Sequence, residues 1–178
     1  MTEDFNDEFQ QMDEREFETE HTMGKAVSIE APISSLQLQK MITVDLGTTV
    51  ADVVKLIQTE GVACVLVTDQ GKLVGIFTER DVIRKLVGKD LDHTREIVDD
   101  YMTPDPRFLF IDDPIAYALN RMYDGGYRHV PIIDTDHKPV GIVGILDIIS
   151  HLAVYYSDEI MNLPPDPLRV AQKRPEGG

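Results

Sequence analysis

From Ile42 onward the apolar positions of this chain follow one rhythm, and then repeat it. Val50, Val53, Val54 and Ile57 form a helical stripe before Gly61, and Ile115, Ala118, Leu119 and Met122 form the same stripe before Gly126, 65 residues later in every pair. That spacing predicts two amphipathic helices, each stopped by its glycine. After each glycine come an apolar run, a polar turn, a second apolar run opening on glycine, and a short helix. These fall at residues 64–67, 68–72, 74–77 and 81–87 in the first copy, and at 130–133, 134–138, 140–143 and 147–153 in the second. The offset grows to 66 because the second hairpin loop is one residue longer, a change that loops tolerate. Short strands near 42–44 and 108–110 lead in, so each copy reads as β-α-β-β-α.

Thr49 opens a Thr-x-x-Asp capping box with Asp52, and Pro114 takes the corresponding first-turn position in the second copy, where its missing N–H costs nothing. A three-stranded sheet alone leaves one face bare, so the copies are expected to pack sheet against sheet, pseudo-twofold related, in an α/β (α+β) fold with a cleft between them. The expected boundaries are an acidic, disordered 1–24, a first repeat at 25–90, a charged linker at 91–100, a second repeat at 101–160 and a Pro-rich mobile tail at 161–178. A helical turn is expected within 95–101. The last helix is expected to continue through Tyr155 and Tyr156 toward Met161, stopped by Pro164 and Pro165. Phe5, Phe9 and Met12 fall at i, i+4 and i+7, which leaves open an amphipathic, partner-binding turn in the acidic segment.

Charge narrows the choice of partners. Lys and Arg number 17 against 32 Asp and Glu, a formal net charge of −15. Residues 1–20 hold nine acids against Arg15, which leaves −7 for the remainder. Such a surface argues against duplex nucleic acid, whose binding draws on clustered Lys and Arg. No apolar run approaches the roughly 18 residues of a membrane span, and the acidic N-terminus is unlike a secretory signal, so a cytoplasmic location is expected. Cys64 is the sole cysteine and sits in an apolar run, as a buried hydrophobe would. The five histidines make no ligand spacing, and Asp134-x-Asp136-His137 reads as a hairpin turn. With no Gly-x-Ser-x-Gly elbow and no Gly-rich Walker loop, catalysis has no sequence support.

One segment does carry chemistry. Gly75-Ile76-Phe77-Thr78-Glu79-Arg80-Asp81 ends a strand and opens a helix, placing a hydroxyl, a carboxylate and free backbone N–H groups on one face. The set suits a ribose phosphate. Thr78 and Asp81 are also ordinary N-capping residues, so both readings stand. Arg80, Arg84 and Lys85, interleaved with Glu79 and Asp81, read as a solvated face.

The repeat resembles the cystathionine-β-synthase-type (CBS) domain, and its tandem resembles a Bateman module. The marks are Gly-x-x-Thr-x-x-Asp at positions 75–81, the run Gly126-Tyr127-Arg128-His129-Val130-Pro131-Ile132-Ile133-Asp134, and Tyr101-Met102-Thr103-Pro104 ahead of the second copy. The resemblance implies a regulatory, non-catalytic module that binds AMP, ADP, ATP or another adenosine ligand such as S-adenosylmethionine or a nicotinamide dinucleotide. It implies that Asp81 holds the ribose hydroxyls, Thr78 the phosphate or ribose edge, and Thr103 the nucleoside. Arg128 and His129 would neutralise phosphate, Ile76, Tyr127 and Pro131 would flank the adenine, and Arg107 is a further candidate. Counting only Arg128 and His129 for phosphate favours one or two phosphates over three. The pseudo-equivalent site has Gly144 for Thr78, Ala63-Cys64 for Arg128-His129 and Leu38 for Thr103, so it is expected to be empty or weak, with Asp147 as a helix cap. The resemblance also implies a homodimer and an unidentified protein target. The alternative is a ligand-free scaffold that keeps the motif as a cap.

Overall fold

The computed structural model describes residues 29–154. The readings of 1–24, of the helix beyond Val154 with Tyr155 and Tyr156, and of 161–178 lie outside the described residues. In the first repeat, β1 (Thr43–Asp45) leads to α1 (Val50–Glu60), then β2 (Cys64–Asp69), β3 (Lys72–Thr78) and α2 (Glu79–Asp81), which continues as a π turn over Val82–Leu86. The linker holds a 3₁₀ turn at Val98–Asp100 and then β4 (Thr103–Pro104). The second repeat runs β5 (Leu109–Phe110), α3 (Ile115–Gly125), β6 (His129–Ile133), β7 (Pro139–Gly144) and α4 (Ile145–Ala153).

The long helices begin and end where their residues dictate. Thr49 Oγ1 accepts from the Asp52 N–H at 3.2 Å and donates to the Asp52 carboxylate at 2.7 Å. Gly61 and Gly126 close α1 and α3 in left-handed conformations, φ +64° in both, which glycine adopts without a Cβ penalty. Pro114 lies one place earlier than expected: it is the N-cap of α3, extended at φ −60° and ψ 142°, and not a first-turn residue.

Two sheets form, ordered β1-β2-β3-β4 and β5-β6-β7. In each, the lead-in strand runs parallel to the middle strand and the hairpin is antiparallel. The first sheet has a fourth strand that the repeat pattern does not contain. Thr103 pairs with Ile76 and Pro104 with Gly75, so the segment ahead of the second repeat completes the sheet of the first. The same crossing occurs at the helix starts, where orphan N–H groups need acceptors. The N–H groups of Val50 and Ala51 donate to the Glu96 and His93 carbonyls of the linker at 2.8 and 2.9 Å, while those of Ile115 and Ala116 donate to Ala31 and Ile29 at 2.9 and 2.7 Å. Ile33 and Leu36 accordingly pack into the core of the second repeat, and Val98 into that of the first. Each repeat is thus stapled to the other by its own leading segment.

A third apolar cluster lies between the sheets. Cys64, Leu66, Leu73 and Ile76 meet Ile133 and Ile142, with Met41 and Phe108 against them. The residues alternate along the strands with those facing the helices, as sheets buried on both faces require. The hairpins also touch, since the Leu73 N–H donates to the His137 carbonyl at 2.9 Å. Asp134 holds the second turn through bonds from Asp136 N and Lys138 N at 2.9 and 2.8 Å, as expected of a turn residue. Among the described residues no group of three or more His, Cys, Asp and Glu is placed to hold a metal ion.

Candidate functional site

The packing of the two sheets leaves a cavity of about 730 Å³ between the repeats, within the size range of small-molecule sites. Ile76, Thr78 and Asp81 reach it from the end of β3 and the start of α2. β4 brings Thr103 to the edge of the same sheet, and Arg107 follows in the loop beyond. From the other repeat, the turn after α3 and the start of β6 supply Tyr127, Arg128, His129 and Pro131. All nine residues singled out in the sequence therefore line one space.

Thr78 and Asp81 form a closed capping box. The Asp81 carboxylate accepts from the Thr78 N–H at 2.9 Å and from its hydroxyl at 2.7 Å, and the Thr78 Oγ1 in turn accepts from the Asp81 N–H at 3.3 Å. A hydroxyl has one hydrogen, and here it is committed to Asp81. Thr78 can thus accept from a ligand while the box stands, but must break it to donate to a phosphate.

Lys85 completes this arrangement. Its Nζ lies 2.7 Å from the second oxygen of Asp81 and donates to the carbonyls of Tyr101 at 2.6 Å and Met102 at 3.3 Å. Lys85 therefore ties the motif carboxylate to the segment that delivers Thr103. Met102 lies over Gly75, where an added Cβ would meet its sulfur at 2.1 Å, so any larger residue would have to displace the Met102 side chain.

The cavity is more basic than expected. Arg80, Arg84 and Lys85, read from the sequence as a solvated face, line its mouth, with Arg80 and Arg84 still exposed. Arg80 crosses the cleft, donating to the Gly126 carbonyl of the second repeat at 2.7 Å. Arg107 stands 3.8 Å from Asp124, both exposed. Burial first, then the neighbouring Arg128 cation, holds His129 below the ordinary imidazole range, with Asp147 and Glu79 pulling the other way. His129 is thus a neutral donor at neutral pH, and permanent positive charge on its side of the cavity comes from Arg128.

The pseudo-equivalent position differs from the expectation in one residue. Leu38 packs over Gly141, where an added Cβ would meet it at 2.6 Å, as Met102 packs over Gly75. Gln39 then takes the place corresponding to Thr103: its Nε2 would lie 2.2 Å from a Cβ at Gly144. The sequence offset missed this because the two lead-in segments reach their strands by paths that differ by one residue. Asp147 accepts from the Gly144 N–H at 2.6 Å, the capping role expected of it.

With this geometry in place, comparison with known proteins gives the family. The CBS domain model matches the chain twice, over residues 33–88 and 98–154, and the chain belongs to that family. An uncharacterized 17.7 kDa protein of Acidianus ambivalens is 33% identical over 121 residues, covering 67% of this chain and 72% of that protein. The CBS domain-containing protein CBSCBSPB1 of Arabidopsis thaliana is 31% identical over 115 residues, covering 65% of this chain, and the match spans only 21% of that longer protein. The structure of CBSX2 in complex with AMP superposes with a TM-score of 0.61 at 20% identity, covering 70% of this chain and 97% of that one. Among the described residues, no helix is long and apolar enough to cross a membrane.

Proposed function

We propose that this chain is a regulatory module that binds one adenine nucleotide in the cleft between its repeats and signals occupancy to a protein partner. One observation carries the reading: a carboxylate and hydroxyl from the first repeat, Thr103 from the crossing segment, and Arg128 with His129 from the second repeat line a single cavity. A ribose offers a vicinal diol to Asp81, whose oxygens retain acceptor capacity beyond the capping box. A phosphate meets the planar fork of Arg128 and the His129 imidazole, which is neutral until the anion arrives. Ile76, Tyr127 and Pro131 provide apolar walls for a base. Of the relatives, CBSX2 holds AMP on this fold, and at its level of identity that likeness speaks for the fold. The case for the ligand rests on the cavity.

Because the ligand would touch both repeats, its binding energy depends on how they are set against one another. It favours the arrangement it fits by its differential affinity for the two states. Helical residues such as Ile83, Leu146 and Ile149 stay more than half exposed and suit a homodimer contact through which that shift could be passed on. No nucleophile or metal centre is part of this reading.

A second reading has an observation in its favour. Thr78, Asp81 and Lys85 satisfy one another without a ligand, as a scaffold retaining the motif only as a cap would show. A thermal-shift panel of AMP, ADP, ATP and S-adenosylmethionine separates the two. A ligand at 100 times its Kd stabilises the folded state by about 2.7 kcal/mol, so the sensor reading expects at least one nucleotide to raise the melting temperature by several degrees. No shift with any of them would leave the scaffold.

A further inference from the structure

We infer that Arg84 makes this site select an adenosine 5′-polyphosphate, with two or more phosphates, over the monophosphate. This inference rests on the nucleotide reading above and adds to it the length of the phosphate chain.

The cavity cations differ in what already occupies them. Lys85 is held by Asp81 and two carbonyls, Arg80 by the Gly126 carbonyl, and Arg107 stands near Asp124. Arg84 and Arg128 also line the cavity, yet neither has an ion pair or side-chain hydrogen bond to another described residue. They come from opposite repeats. Among the described residues, neither guanidinium has a carboxylate partner. A guanidinium presents a rigid fork matched to phosphate oxygens, so both remain available to an anion in the cleft.

The position of Arg84 sets what it can reach. It follows Asp81 by three residues, in the π turn that continues α2, and it lines the same cavity as the carboxylate assigned to the ribose. Arg128 and His129 suffice for a single phosphate. Arg84 then gains a partner only if the anion continues past the first phosphate along the cleft. The expectation of a short phosphate chain counted Arg128 and His129 alone, since the sequence left Arg84 on a solvated face.

The test is isothermal titration of AMP, ADP and ATP into the full chain, as wild type, Arg84→Gln and Arg84→Lys. Arg84 is exposed, so the variants should keep the wild-type melting temperature. Wild type should bind ADP or ATP about tenfold more tightly than AMP, the scale of a hydrogen bond to a charged group. Arg84→Gln should lose about that factor for ADP and ATP and less than about twofold for AMP, while Arg84→Lys keeps part of it. Wild-type affinities that do not depend on phosphate number, or an Arg84→Gln loss equal for all three, would overturn this inference and leave the nucleotide reading standing. No binding of any of the three would overturn both.

Discussion

Lys85→Met removes a charge that the site and the fold share, while keeping the volume of the stem. Lys85 Nζ makes two short contacts, 2.7 Å to Asp81 and 2.6 Å to the Tyr101 carbonyl, and a longer one at 3.3 Å to Met102. Each charge-assisted bond is worth about 1.5–3 kcal/mol where water is excluded. The Lys85 side chain is 34% exposed and that of Asp81 12%, so water can replace part of what is lost, and the longest contact adds little. A net cost of about 2 kcal/mol remains, most of it from leaving Asp81 and the Tyr101 carbonyl short of a donor. For a folded unit of this size that corresponds to a fall in Tm of roughly 6–10 °C. Differential scanning fluorimetry without ligand measures it directly, and Lys85→Arg should recover part of the loss. A Lys85→Met protein melting within about 2 °C of wild type would refute the reasoning, since the tie would then contribute nothing to the packing of the linker on the first repeat.

The depressed pKa of His129 makes stability pH-dependent: the unfolded chain takes up its proton near the ordinary value of about 6.5, above the folded state, so stability is full above that pH and falls as the pH drops toward the folded value. His129→Gln should flatten the decline in Tm between about pH 7 and pH 5. Nucleotide binding should draw a proton onto His129 near neutral pH, seen as a binding enthalpy that changes with the ionisation enthalpy of the buffer. With Gly144 in place of Thr78 and Ala63-Cys64 in place of Arg128-His129, calorimetry should return one nucleotide per chain, and two equivalent sites would contradict that assignment. Burial, and secondarily Glu79, pushes the Cys64 thiol up to about 12, so a thiol reagent at pH 8 should label it only as the protein unfolds; rapid labelling of the native protein would place Cys64 outside the inter-sheet core.

Local patterns were enough for much of this fold. The 65-residue spacing of the helical stripes, the glycine stops and the Thr49 cap all depend on neighbours within a few residues, and all appear in the structure where the pattern puts them. Of the nine cavity residues, Thr78 and Asp81 were legible from their place at a strand-to-helix junction, and the other seven were implied by the resemblance to the CBS domain. What escaped notice depends on partners far along the chain. The acceptors of the Ile115 and Ala116 N–H groups lie at Ala31 and Ile29, and no periodicity within one repeat signals that crossing. Arg84 and Lys85 looked solvated because alternating charge on a short helix has that appearance whichever way the helix faces. Gln39 was missed by one residue because an offset taken between repeats cannot register a locally different path.

The central claim is that the two repeats hold one ligand between them, and it is tested most directly by titrating ADP into wild type, Asp81→Asn and Arg128→Gln, with melting temperatures as the control for folding. Each substitution removes a ligand contact from a different repeat, and each should weaken binding about tenfold or more. Wild-type affinity in either correctly folded variant would contradict the claim.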